Sequence, residues 1–189
     1  MREWKKEGIK QMSEKKDVYS DVKSQMRLSE RIAAAIPGFH GYKEKELRRE
    51  SDRLIRNHLY LKLSNTKNTL KGLVQKLSDR RYFDVMTDAD RLMAKMDRIM
   101  EKVNHASYGY TGLFDAVKVK EDALDRMITF DTQLIDGANT IATEVDAFKT
   151  DLTSGETKNL KTRIQAITDK VESFEGTFDG RDEVIKGVN

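Results

Sequence analysis

The chain has 189 residues, of which 35% are charged, 38% hydrophobic and 7% aromatic, with one proline, no cysteine and a formal net charge of +3. This balance suits long solvated helices rather than an all-β sandwich or a disordered tail, and the missing cysteine excludes a disulfide framework, a thiolate metal site and a cysteine nucleophile. The longest apolar run, Ile32-Ala33-Ala34-Ala35-Ile36, falls far short of the roughly 20 residues that a membrane-spanning helix needs. Met1-Arg2-Glu3-Trp4-Lys5-Lys6 lacks the apolar region of a signal peptide, so a cytoplasmic protein, at most peripheral to a membrane, is expected.

Residues 1–16 mix Lys and Glu around Gly8 and read as a flexible lead-in. A first helix is expected from about Asp17 to Ile36, with Val18, Val22, Met26, Ser29, Ile32 and Ile36 on one face. Pro37 and Gly38 end it in a tight turn, because proline disfavours α geometry in the residue before it and glycine accepts positive φ. A second helix starts near Tyr42. Its first half is dense in charge, with Glu44–Arg48 and Asp52–Arg56 at the acid-first i, i+4 spacing. Ser64-Asn65-Thr66-Lys67-Asn68-Thr69 contains poor helix formers. The stripe nevertheless keeps phase through Leu59, Leu63, Thr66, Leu70, Leu73 and Leu77, so the helix is expected to continue to about Asp79, with a break near Asn65 as the alternative.

After a turn at Arg80-Arg81-Tyr82-Phe83, a third helix carries the heptad seam Val85, Ala89, Leu92, Met96, Ile99 and Val103. Residues 104–119 are the least helical stretch, with Gly109 and Gly112 among aromatics. A fourth helix is expected from about Lys120 to Leu152. Asp131 falls where its stripe wants an apolar residue, and Gly137 weakens its middle by roughly 1 kcal/mol relative to alanine. A fifth helix repeats Leu160, Ile164, Ile167, Val171, Phe174 and Phe178, and residues 180–189 read as a frayed end. The expected fold is all-α: an elongated antiparallel bundle or coiled coil of four to five helices, one domain over residues 17–179.

Residues 1–120 hold 27 Lys/Arg against 17 Asp/Glu, and residues 121–189 hold 8 against 15. Such a division fits acidic C-terminal helices packed on basic N-terminal ones, or a basic part facing an anionic surface; the first is the expected reading. No phosphate-binding loop, dinucleotide fingerprint or nucleophile elbow occurs. Glu101 and His105, one turn apart, read as a surface pair, and no ferritin-like ligand set exists. No catalytic residue, metal or cofactor is expected. The Lys/Arg of residues 43–56 alternate with acids, which weakens a nucleic-acid reading.

Two segments use residue types that a simple turn does not need. Phe39 and Tyr42 sit beside the turn residues Pro37, Gly38 and Gly41, and Tyr108, Tyr110 and Phe114 sit among Gly109 and Gly112. If the second helix runs unbroken, parity returns the second segment to the end where the first lies. The two would then form one composite patch rimmed by Lys43, Arg48 and Arg49, either an end cap or a partner-binding surface. The same segments, Ile36-Pro37-Gly38-Phe39-His40-Gly41-Tyr42-Lys43-Glu44-Lys45-Glu46 followed by Arg48-Arg49, and Tyr108-Gly109-Tyr110-Thr111-Gly112-Leu113-Phe114-Asp115-Ala116-Val117-Lys118-Val119, resemble the signatures of an uncharacterised family of small helical proteins from archaea and bacteria. The resemblance spans about residues 28–150. It implies no activity and no catalytic residues, and it implies an association with membrane scaffolds of the band-7 type. The expected role is a non-catalytic helical adaptor or scaffold for a protein partner or for its own copies. The alternative is a peripheral coat on anionic bilayers, with nucleic-acid binding a poorer third reading.

Overall fold

The computed structural model describes residues 26–106 and 121–186. Within them every regular element is helical: α1 (26–35), α2 (Lys45–Asp79), a 3-10 turn (Phe83–Val85), α3 (Met86–His105), α4 (Glu121–Ser154) and α5 (Leu160–Lys186). None of these helices is long and apolar enough to cross a membrane.

The apolar stripes become the core. Leu59, Leu63, Thr66, Leu70, Leu73 and Leu77 are buried on α2, which runs unbroken through Asn65. Thr66 and Thr69 return their hydroxyls to the carbonyls of Lys62 and Asn65, which satisfies them without breaking the helix. The seams of α3 and α5 are buried as their spacing requires. Met26, assigned to the apolar face of α1, is instead 60% exposed, and Val18 and Val22 lie outside the described residues.

Both hairpin turns use the same device. After α2, the Tyr82 amide donates to Leu77 O and the Arg81 amide to Ser78 O. After α4, the Glu156 amide donates to Asp151 O. This closure needs one residue in the left-handed region. Gly155 supplies it after α4 at φ +83°, and Arg81 supplies it after α2 at φ +63° despite its side chain.

The four long helices close a ring of contacts: α2 packs on α3 and α4, and α5 packs on α3 and α4. Ion pairs show the directions. Lys95–Glu172, Arg98–Glu175 and Lys102–Asp179 each join residues 77 apart, so α3 and α5 run the same way. Between α4 and α5 the numbers move oppositely, with Asp151 bonded to Arg163 and Asp131 to Arg181. The expected bundle, antiparallel throughout, is therefore not what these contacts describe: α4 and α5 are antiparallel, and α3 and α5 are parallel. Acidic residues of α5 meet basic residues of α3 along the ladder, which places part of the charge division inside one chain.

Helix α5 does not fray at Gly180. It continues to Lys186 and buries Arg181, Val184 and Ile185. Arg181 holds the seam position after Phe178, and a charge there disguised the continuation.

Candidate functional site

Chemistry-bearing side chains converge where the link after α1 meets α2, α4 and α5. On α2, Arg48, Ser51, Asp52 and Arg56 fall on the inward face, in phase with Ile55 and Leu59. Asp131 occupies a seam position of α4, and Arg181 one of α5. Tyr42 precedes α2 and points inward. Relative exposure is 1% for Tyr42, 2% for Asp52, 0% for Asp131 and 1% for Arg181.

The bonds join all of these elements. Tyr42 Oη donates to Asp131 Oδ2 at 2.7 Å and accepts from Arg181 Nη2 at 3.2 Å. Arg181 Nε donates to Asp131 Oδ1 at 2.6 Å. Arg56 Nε donates to Asp52 Oδ2 at 2.8 Å. Arg181 Nη1 and Asp52 Oδ1 stand 2.9 Å apart, yet neither atom makes a hydrogen bond of good geometry, so this contact acts as charge on charge. Two carboxylates thus face two guanidinium groups, which is the condition for burying charge at all.

Burial raises the Asp131 carboxyl above the ordinary aspartate range, although Arg181 and the Tyr42 bond oppose the shift. Burial, and next the Asp131 charge, push the Tyr42 hydroxyl well above the ordinary tyrosine range. For Arg181 burial acts downward, but Asp131, Tyr42 and Asp52 outweigh it and hold the guanidinium well above its usual value. Tyr42 is therefore a neutral bridge and Arg181 a fixed cation.

The link is tied down from both sides. Ser51 Oγ donates to Gly41 O and Arg48 Nε to Tyr42 O, each at 2.8 Å. Gly38 and Gly41 adopt φ +85° and +80°, a region glycine enters without steric penalty. Phe39 packs edge-on against Tyr42, with ring centroids 5.8 Å apart.

The first half of the expected composite patch is divided between core and surface. Phe39, Tyr42 and Arg48 are buried, while Lys43 and Arg49 are exposed with Pro37. Tyr108, Tyr110, Phe114, Gly109 and Gly112 lie outside the described residues. Asp52, Asp131 and Arg181 were not among the expected site residues. Their signal was present in the sequence as opposite charges on the seam positions of separate helices.

Elsewhere, the His105 imidazole pairs with Glu101 at 2.9 Å on the exposed end of α3. Among the described residues no group of three or more His, Cys, Asp or Glu side chains could hold a metal ion. A shallow depression of about 550 Å³ near the end of α4 is lined by Asp146, Lys149, Thr150, Thr153 and Ser154, and its three hydroxyls donate to carbonyls of their own helix. No family model, curated protein or solved structure matches this chain.

Proposed function

We propose that this protein is a non-catalytic helical adaptor or scaffold that acts in the cytoplasm on a protein partner or on its own copies. In this reading the helices form an elongated bundle of two antiparallel hairpins laid side by side in the same direction, and the family resemblance belongs to it as well. The observation that carries the reading is the outer face of α2. This helix of 35 residues is about 52 Å long at 1.5 Å per residue. Between Arg53 and Ser78 it has no carboxylate, and Asn57, Leu61, Asn65, Asn68, Gly72 and Gln75 all lie exposed. Leu61 is 61% exposed at an interior position of the helix. Interface centres are depleted of charge, and asparagine and glycine cost helix stability that no contact among the described residues returns. Two measurements test this: affinity capture from the source cells, and sedimentation velocity over a range of concentrations, each with wild type and Leu61→Glu. A partner or a self-association that Leu61→Glu abolishes supports the reading. A wild type that stays monomeric and captures the same proteins as the variant defeats it.

A second reading, a peripheral protein on anionic bilayers, is favoured by the tip of the α2–α3 hairpin. Phe83 there is 64% exposed beside Arg80 and Arg81, an apolar side chain with basic neighbours. Salt-sensitive sedimentation with phosphatidylserine vesicles, lost in Phe83→Ser, would bring this reading forward. Nucleic-acid binding ranks below both, because Arg48, Arg53 and Arg56 already bond Tyr42, Glu50 and Asp52.

A further inference from the structure

Among the described residues, helix α1 buries fewer side chains than any other α-helix. Within 26–35 only Ile32 is buried, and Ile36 follows at the helix end. Arg31, Ala33, Ala34 and Ala35 face outward. Leu28 packs half-buried against the core, and Arg31 Nη2 reaches both oxygens of Asp136 on α4 at 3.0 Å, with both side chains more than half exposed. At its other end, a methyl group placed on Gly38 would meet Leu54 of α2 at 3.6 Å. The helix thus lies over a track whose walls are α2 and α4. Three aliphatic side chains, Leu28, Ile32 and Ile36, and one arginine fork are what that track recognises.

The surroundings of the track do not depend on α1. Tyr42, Ser51 and Arg48 fix the link from Gly41 onward, and Asp131 and Arg181 fix Tyr42. Between those fixed points and α1 stands Gly38 in the left-handed region, a residue whose backbone turns at little steric cost. Lifting α1 uncovers Leu28, Ile32 and Ile36 and leaves the bonds that hold the link from Gly41 onward in place.

We propose that this track is a helix-docking groove, filled in cis by α1 and open to an amphipathic helix of another protein that carries arginine followed by isoleucine or leucine at i and i+4. The cis helix is then an internal competitor that sets the affinity for the incoming one. The proposal deepens the adaptor reading and rests on it for the claim that the occupant is a protein helix.

The test uses the full chain and a fluorescent synthetic peptide of residues 26–38. Two opened variants are made: Ile32→Ser with Ile36→Ser, and Arg31→Glu, which leaves the core untouched. By fluorescence anisotropy the peptide should bind both at least tenfold more tightly than wild type. An Arg31→Glu peptide should lose that affinity, and Asp136→Arg in the chain should restore it. In wild type, amide hydrogen exchange should be at least tenfold faster in α1 than in residues 55–77 of α2. Equal protection of the two helices, or no peptide binding by opened variants that keep their helical content, overturns the groove. A failed peptide experiment removes the groove and leaves the adaptor reading standing. A bound peptide with no cellular partner and no self-association removes the adaptor reading and leaves the groove.

Discussion

Two sets of ion pairs hold the same helix α5, and they differ in nearly everything except charge. The ladder to α3, through Lys95, Arg98 and Lys102 against Glu172, Glu175 and Asp179, is open to solvent on one side, with side chains from 14% exposed at Glu175 to 56% at Arg98. The cluster of Tyr42, Asp52, Arg56, Asp131 and Arg181 is sealed. Water screens the first set, so each pair there is worth about 0–1 kcal/mol. The second set gave up its hydration to enter the core, so every member depends on the others. The contrast teaches that the number of ion pairs says little about their weight.

The largest effect should come from breaking the sealed cluster on one side only. Arg181→Met leaves Asp52 and Asp131 buried without their shared cation. It should cost about 3–5 kcal/mol, read from urea unfolding by circular dichroism. A loss below about 1 kcal/mol would mean that water reaches the cluster and that the contrast with the ladder is false. Next comes Tyr42→Phe, which removes one hydroxyl and keeps the ring against Phe39. Asp131 then keeps Arg181 but loses a charged hydrogen bond worth about 1.5–3 kcal/mol.

The smallest effect belongs to the ladder. Glu175→Gln should cost no more than about 1 kcal/mol at low salt, and 1 M sodium chloride should erase the difference because the screening length falls to about 3 Å. Its pH dependence has a definite sign. Burial alone would raise the Glu175 carboxyl, but the bonds from Arg98 and Lys102 outweigh it and hold it below the ordinary range. The stability it contributes is complete above the unfolded value of about 4.3 and disappears as pH falls through the folded value. Asp131 acts in the opposite sense. Its raised pKa makes the folded chain the better proton acceptor, so its contribution is present below the unfolded aspartate value and is lost as pH rises through the folded one. Acid unfolding of wild type should therefore steepen below about pH 4.3, and Glu175→Gln should flatten that limb.

The helices were legible in the sequence because their signal is local. The run Leu160, Ile164, Ile167, Val171, Phe174, Phe178 needs only the helical period, and the continuity of α2 followed from phase across a segment of poor helix formers. The cluster was not legible in the same way. Asp131 showed as a fault in the α4 stripe, but its partners Tyr42 and Arg181 are 89 and 50 residues away, and no periodicity reports that distance. The same ignorance left Phe39 and Tyr42 open between an end cap and a binding patch, and put Arg181 inside the frayed end expected over residues 180–189. Parallel α3 and α5 escaped for a related reason: short connections fix the direction within a hairpin and say nothing of how two hairpins align.

The sequence distances in the cluster also bear on time. Each hairpin closes between neighbours along the chain, whereas the bond from Arg181 to Tyr42 spans 139 residues. Contacts that close long loops form late, because the entropy of closure is spent before the bond forms. The cluster should therefore be absent from the folding transition state, and Tyr42→Phe should leave the refolding rate nearly unchanged while speeding unfolding by most of its equilibrium effect. On that account the cluster does little to bring the chain together, and its work is to keep the folded molecule from opening.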